Sequence, residues 1–410
     1  MEAVRIAHNL KLLGRHDAGG ASNLGEGMAL KLTRDGRRIM YIAHENAPMA
    51  FSIFDVTEPR EPKLVWQLPL PHRNVRGNSL ALRGDTLLMA YQVNKAGLKP
   101  AGFQVYDVSN PVAPREVSFF DMSGGQSQGV HFVSFMDGRY AHITTGAPDF
   151  EPDHPKDHQF YMIVDLANPS KPTEVGRWWM PGQRKGDKAS LPPRHPEPFD
   201  FAYRPHHTLS YPERPDRAYV GYIDGGIVIL DISDKHAPKL ISRVDYHPPF
   251  PGFTHTVLPL FDRDLLVVTD EATGDQGIDW PKRLWMVDVR VESNPVMIAS
   301  MPTPEGFDDL HRIGGRIGAH NIHENEREPG SAKLENTVVA TWFSAGLRIY
   351  DIADPFRPEE IAAFLPETPE GQRGCRISDV FVDDRGIIYA ADRARGGLYV
   401  LEYTGSHPLN

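Results

Sequence analysis

The stretch Leu347-Arg348-Ile349-Tyr350-Asp351-Ile352-Ala353-Asp354-Pro355 decides the fold. Its β-branched and aromatic residues suit a buried, pleated strand. Asp351 can accept backbone hydrogen bonds in the turn that follows, and the proline forbids continuation as a helix. The same phrase returns along the chain. It reads Phe51-Ser52-Ile53-Phe54-Asp55-Val56 before Pro59 and Pro62, and Phe103-Gln104-Val105-Tyr106-Asp107-Val108 before Pro111 and Pro114. Residues 161–166, 227–232 and 284–289 repeat it, and Leu398-Tyr399-Val400-Leu401-Glu402 is a weaker last copy.

The copies lie roughly fifty to sixty-five residues apart, near the blade length of a propeller with insertions. Three further strand-like runs fit between successive copies, as in residues 208–211, 218–222 and 239–244 around the copy at 227–232. No stretch carries the sustained helical period that a βαβ fold requires. Four antiparallel strands repeated seven times predict an all-β fold, a seven-bladed β-propeller. The last unit stops after its third strand, so residues 4–13 are expected to supply the fourth and hide a sheet edge. The chain then reads as one domain over 1–410, with 1–17 as closing strand, 18–403 as blades and 404–410 as a tail.

The pattern of apolar pair, Asp, Ile or Val, small residue, Asp or Asn and Pro is clearest in Leu230-Asp231-Ile232-Ser233-Asp234 and in 350–355. It resembles the LVIVD repeat family of β-propellers. The resemblance implies the fold over nearly the whole chain and no particular reaction.

Composition narrows the function. The 410 residues carry a formal charge of −10 and lack the clustered Lys and Arg of a nucleic-acid footprint. No window approaches the roughly 18 apolar residues that span a bilayer, and the first residues lack a secretory pattern. Cys375 is the only cysteine, which excludes an internal disulfide. A cytoplasmic protein without membrane or nucleic-acid partners is expected, its oligomeric state open. Phosphate loops, paired-cysteine knuckles and serine elbows are absent from the sequence.

The chemistry-bearing signal is a histidine at one point of four successive units: Val130-His131-Phe132-Val133, His206-His207-Thr208-Leu209, Thr254-His255-Thr256-Val257 and Ala319-His320-Asn321-Ile322. First strands line a propeller's channel, and alternate side chains point inward. Aligning the apolar runs puts Met28, Ser79, His131, His207, His255, His320 and Asp379 at one level. Three or four converging imidazoles bind a divalent ion. His131, His207, His255 and His320 are therefore the expected ligands, although a one-residue shift would turn His131 to the sheet. His206 and His323 alternate outward, and a bulge would exchange either with its neighbour. For any single histidine, a satisfied core residue is the ordinary reading; the aligned set points to metal. Glu45, Glu271 and Glu324, with His323, are the residues placed to support the ligands. Arg76, Arg204 and Arg376 precede the inward positions and can grip a carboxylate-bearing small molecule. Asp379 and His206 are candidate proton carriers.

An axial histidine arrangement is similar to that of carotenoid-cleavage oxygenases, in which four histidines hold iron. It also resembles methanethiol-oxidising selenium-binding proteins and manganese-dependent oligogalacturonate lyases. The arrangement carries over and the substrate does not. An all-imidazole site favours Fe(II), with Mn, Zn or Cu as alternatives, and an oxidoreductase acting on a small anionic substrate. A lyase or hydrolase using the ion as a Lewis acid is the second expectation, and a non-catalytic scaffold the third. Long segments at 147–158, 181–203, 272–282 and 303–316 are expected to crown the same end of the channel.

Overall fold

The computed structural model describes residues 4–304 and 314–410. Seven antiparallel sheets follow one another along the chain. Blade one holds Leu24–Leu32, Arg38–His44, Met49–Asp55 and Lys63–Pro69 from axis to rim. Blades three, four and five repeat this order, beginning with Val130–Ser134, Thr208–Leu209 and Thr254–Leu260. In blade two the inner position is divided between Val75–Arg76 and Leu80–Arg83. Blade six opens irregularly: His320 and His323 donate backbone N–H to Thr341 and Val339 instead of forming a regular strand. Inner strands of successive blades touch, and Ile377–Val382 of blade seven meets Leu24–Leu32 of blade one, so the ring closes.

The repeated Asp does the work expected of it. Asp55, Asp107, Asp165, Asp231, Asp288 and Asp351 each accept the backbone N–H two residues on, at 2.7–3.0 Å. That bond turns the chain from third to fourth strand in six blades. The apolar faces of neighbouring blades then pack together, as where Tyr41, Phe51 and Ile53 of blade one meet Leu87, Met89 and Tyr106 of blade two. Each such fully buried side chain contributes about 1.5–3 kcal/mol.

Closure uses the N-terminal segment, but differently from the single strand expected at residues 4–13. Leu10–His16 completes blade seven, with Leu10 opposite Tyr403 and His16 opposite Leu398. Val4–His8 instead crosses to the rim of blade six, with His8 opposite Ala363. Asn9 makes the break: its φ of 52° is left-handed, and its side chain donates to Ile361 O at 2.8 Å. One short segment therefore ties two blades. Of the crown expected at 303–316, residues 305–313 lie outside the described residues. Among the described residues, no helix is long and apolar enough to cross a membrane.

Candidate metal centre

The inner strands do not run as unbroken period-two ladders. Val130 pairs with Thr145 and Phe132 with Thr144, leaving His131 as an extra, unpaired residue. His255 is extra in the same way between Thr254 and Thr256, as is Ser378 between Ile377 and Asp379. In blade one the ladder slips between Leu24 and Met28, and Glu26 has a φ of 53°. A β-bulge re-aims the side chain it carries. Here four bulges stand at the same end of the channel.

They bring a buried cluster together. His131 Nε2 lies 2.8 Å from His206 Nε2 and 3.8 Å from Glu26 Oε2. His206 Nε2 is 3.7 Å and His255 Nε2 4.0 Å from Glu271 Oε2. His320 Nε2 is 3.2 Å from Glu26 Oε1 and 3.7 Å from Glu271 Oε1. Four Nε2 atoms thus face two carboxylates. The opposite ring nitrogens are anchored: His131 Nδ1 to Gln92 Oε1 at 2.8 Å, His255 Nδ1 to Thr256 Oγ1 at 2.7 Å, and His320 Nδ1 to Ser378 O at 2.5 Å. A carbonyl only accepts, so His320 Nδ1 carries the proton and Nε2 of the neutral ring presents a lone pair to Glu26. Burial holds His131, His206, His255 and His320 well below the ordinary imidazole range, which favours the neutral rings, each with one nitrogen lone pair. Burial and the charge of Glu26 push Glu271 upward. Histidine with carboxylate is a donor set that could hold a divalent ion.

The ligand level differs from the alignment of apolar runs. Glu26 stands where Met28 was expected and Asn78 where Ser79 was; Asn78 Nδ2 donates to Glu26 Oε2 at 2.9 Å and to His131 O at 2.8 Å. His206 turns toward the cluster, and His207 lies behind it with Nδ1 3.0 Å from His206 Nδ1 and Nε2 3.4 Å from Glu324 Oε1. His206, His207 and His255 still fall within one donor group. The reason is structural: His206 precedes the two-residue strand Thr208–Leu209, so alternation does not reach it.

Other expected residues take different places. Glu45 pairs with Arg393 at 2.8 Å and faces Arg76 at 3.9 Å, and its charge acts on His320 without a hydrogen bond to the ring. Arg393 in turn reaches Glu26 at 3.4 Å, and Arg316 reaches Glu271 at 3.4 Å. His323 is held away from the cluster by Ala332 O at 2.8 Å and Val382 N at 3.2 Å. Asp379 accepts the N–H groups of Gly27 and Val380, and lines an axial cavity beyond the cluster with Glu324 and Glu326. Burial raises Asp379 to about 7. Arg376 pairs with Asp275 at 3.2 Å. Arg76 remains beside the rings, sharing Gln92 with His131, and Arg76 and Gln92 line a cleft that opens outward with Asn74, Asn94 and Gln128. Arg204 hydrogen-bonds Gln159 at 2.7 Å, and burial with the neighbouring charge of Arg76 lowers it to about 10.

Glu26, Asn78, Arg316 and Arg393 are the residues that reasoning from sequence missed. The available signal was Gly25-Glu26-Gly27, a charge between glycines immediately before an apolar run.

The LVIVD repeat is matched at residues 158–179 and 216–246. The chain carries LVIVD repeats. Among solved structures, the repeat-bearing chain resembles the periplasmic gluconolactonase of Pseudomonas aeruginosa, with 12% identity and a TM-score of 0.55 over 93% of this chain and 97% of that one. It also resembles the Cps50 (Swd1) β-propeller domain of Myceliophteria thermophila, with 13% identity and a TM-score of 0.56 over 96% of this chain and 99% of that one. These likenesses concern the fold. No curated protein is similar in sequence.

Proposed function

We propose that this protein is a metal-dependent hydrolase of a small, anionic organic substrate, working at the axial cluster. The observation that carries the reading is the mixed donor set: Glu26 and Glu271 stand among four imidazoles. The expectation of oxygen chemistry rested on an all-imidazole site, and two carboxylates remove that premise. A divalent ion in such a set supplies a polarised carbonyl and a hydroxide near neutral pH. His131, His206, His255 and His320 would present Nε2 to bound metal, and Gln92 and Ser378 fix the rings of His131 and His320. Arg76 and Arg204 repel one another at the mouth, a repulsion that a substrate carboxylate or phosphate relieves. The gluconolactonase that shares the fold is named for a lactone, and a lactone that also carries a phosphate or a second carboxylate suits both the ion, through its ester carbonyl, and the arginines.

The test is acid release from a panel of sugar-acid lactones and small carboxylate esters, run in air and without oxygen, before and after chelation. Turnover is expected to vanish with chelator, return with added Mn(II) or Zn(II), and ignore oxygen. A second reading, an iron oxygenase, draws on the four converging Nε2 atoms. Product formation only in air with Fe(II) selects it and overturns hydrolysis.

A further inference from the structure

We infer that the axial cluster holds two ions, bridged by the Glu26 carboxylate; the inference rests on the metal-dependent reading above. An ion with bonds of about 2.0–2.2 Å keeps all its donors within about 4.4 Å of one another. The six donors do not gather into one such set. His131 Nε2 gathers with His206 Nε2 at 2.8 Å and Glu26 Oε2 at 3.8 Å. His255, Glu271 and His320 form another group, and Glu26 is again its member. Glu26 belongs to both, and His206, 3.7 Å from Glu271 Oε2 and grouped also with His207 and His255, lies at the seam between them.

The two oxygens of Glu26 divide accordingly. Oε2 lies 3.8 Å from His131 Nε2, and Oε1 lies 3.2 Å from His320 Nε2. A carboxylate offering one oxygen to each of two ions suits the separation of about 3.5–4 Å common in two-metal hydrolytic sites. A second observation points to a missing ligand in the inner group. His255 is fully buried, and its Nε2 has no hydrogen-bond partner although Nδ1 is anchored on Thr256. A buried ring nitrogen without a partner is costly, and with the ring proton on Nδ1 an ion at Nε2 satisfies it. The outer position takes His131, His206 and one oxygen of Glu26; the inner takes His255, His320, Glu271 and the other oxygen. The outer ion stands beside Arg76 and meets the substrate, and a water held between the two ions is the nucleophile.

The experiment strips the full-length protein with chelator and titrates it with Mn(II), reading metal per chain by elemental analysis and coupling by electron paramagnetic resonance. Two Mn(II) per chain with an exchange-coupled signal are expected. His131→Ala and His255→Ala should each retain one Mn(II) and give an uncoupled six-line signal. A wild-type protein saturating at one Mn(II) overturns the second position and leaves the hydrolase reading standing. Binding of none overturns both. Should a variant fail to fold by circular dichroism, wild-type stoichiometry and coupling decide the matter alone.

Discussion

At the scale of single residues, the site is a set of charges kept dry. Glu26 and Glu271 would repel across the channel without help; Arg393 and Arg316 sit 3.4 Å from one and the other. Such pairs offset part of the desolvation cost of burying carboxylates. Arg204 is different, since its recorded bond goes to a neutral amide, Gln159. Under the proposed function its charge meets the anionic group of the substrate. Arg204→Ala should raise KM for an anionic substrate roughly 10- to 100-fold, the worth of a charged hydrogen bond of about 1.5–3 kcal/mol, with a smaller change in kcat. Arg204→Lys should fall between, because the charge survives and the planar fork does not. Steady-state kinetics on both variants checks this, and an unchanged KM in Arg204→Ala removes the residue from substrate binding.

At the scale of elements, the inner strands are built to be interrupted. Their apolar runs were legible, and so was the turn after each third strand, because both follow from periods and residue types within a few positions. The bulges were not. A bulge inserts one residue into a ladder whose partner strand decides where the insertion falls, so His131 and His255 face the axis for reasons that lie outside their own strands. Counting by alternation from Met28 missed Glu26 by two residues for the same cause. Gly27 shows how tight these segments are. A Cβ there would stand 2.5 Å from the backbone nitrogen of Leu80, which cannot swing aside as a side chain would. Gly27→Ala should therefore cost roughly 1–3 kcal/mol, the range for overpacking, and displace the adjacent Glu26. Thermal unfolding with metal analysis tests this: an unaltered melting temperature and full occupancy would mean that the two inner strands part freely.

At the scale of the whole molecule, closure and the axial cluster depend on one ring. Glu26 and His320 meet although they are 294 residues apart in the chain, because blades seven and one are joined. The N-terminal segment makes that joint with Leu10–His16 and only decorates blade six with Val4–His8. Deleting residues 1–8 should lower the melting temperature by a few degrees and leave metal content intact. Deleting 1–16 removes a strand from blade seven, bares a sheet edge and should abolish cooperative unfolding. Scanning calorimetry of the two truncations distinguishes them; equal stability would deny the second segment its closing role. The sequence by itself determined the number of blades, the turn that ends each third strand and the four blades that bring histidine to the axis, since each follows from local pattern repeated at a fixed interval. Tertiary structure alone decided that Glu26 joins the imidazoles, that His206 turns in ahead of His207, and that Glu45 serves an arginine. Those outcomes depend on how neighbouring blades meet, and side chains brought together across a closed ring leave no mark in the spacing of either one.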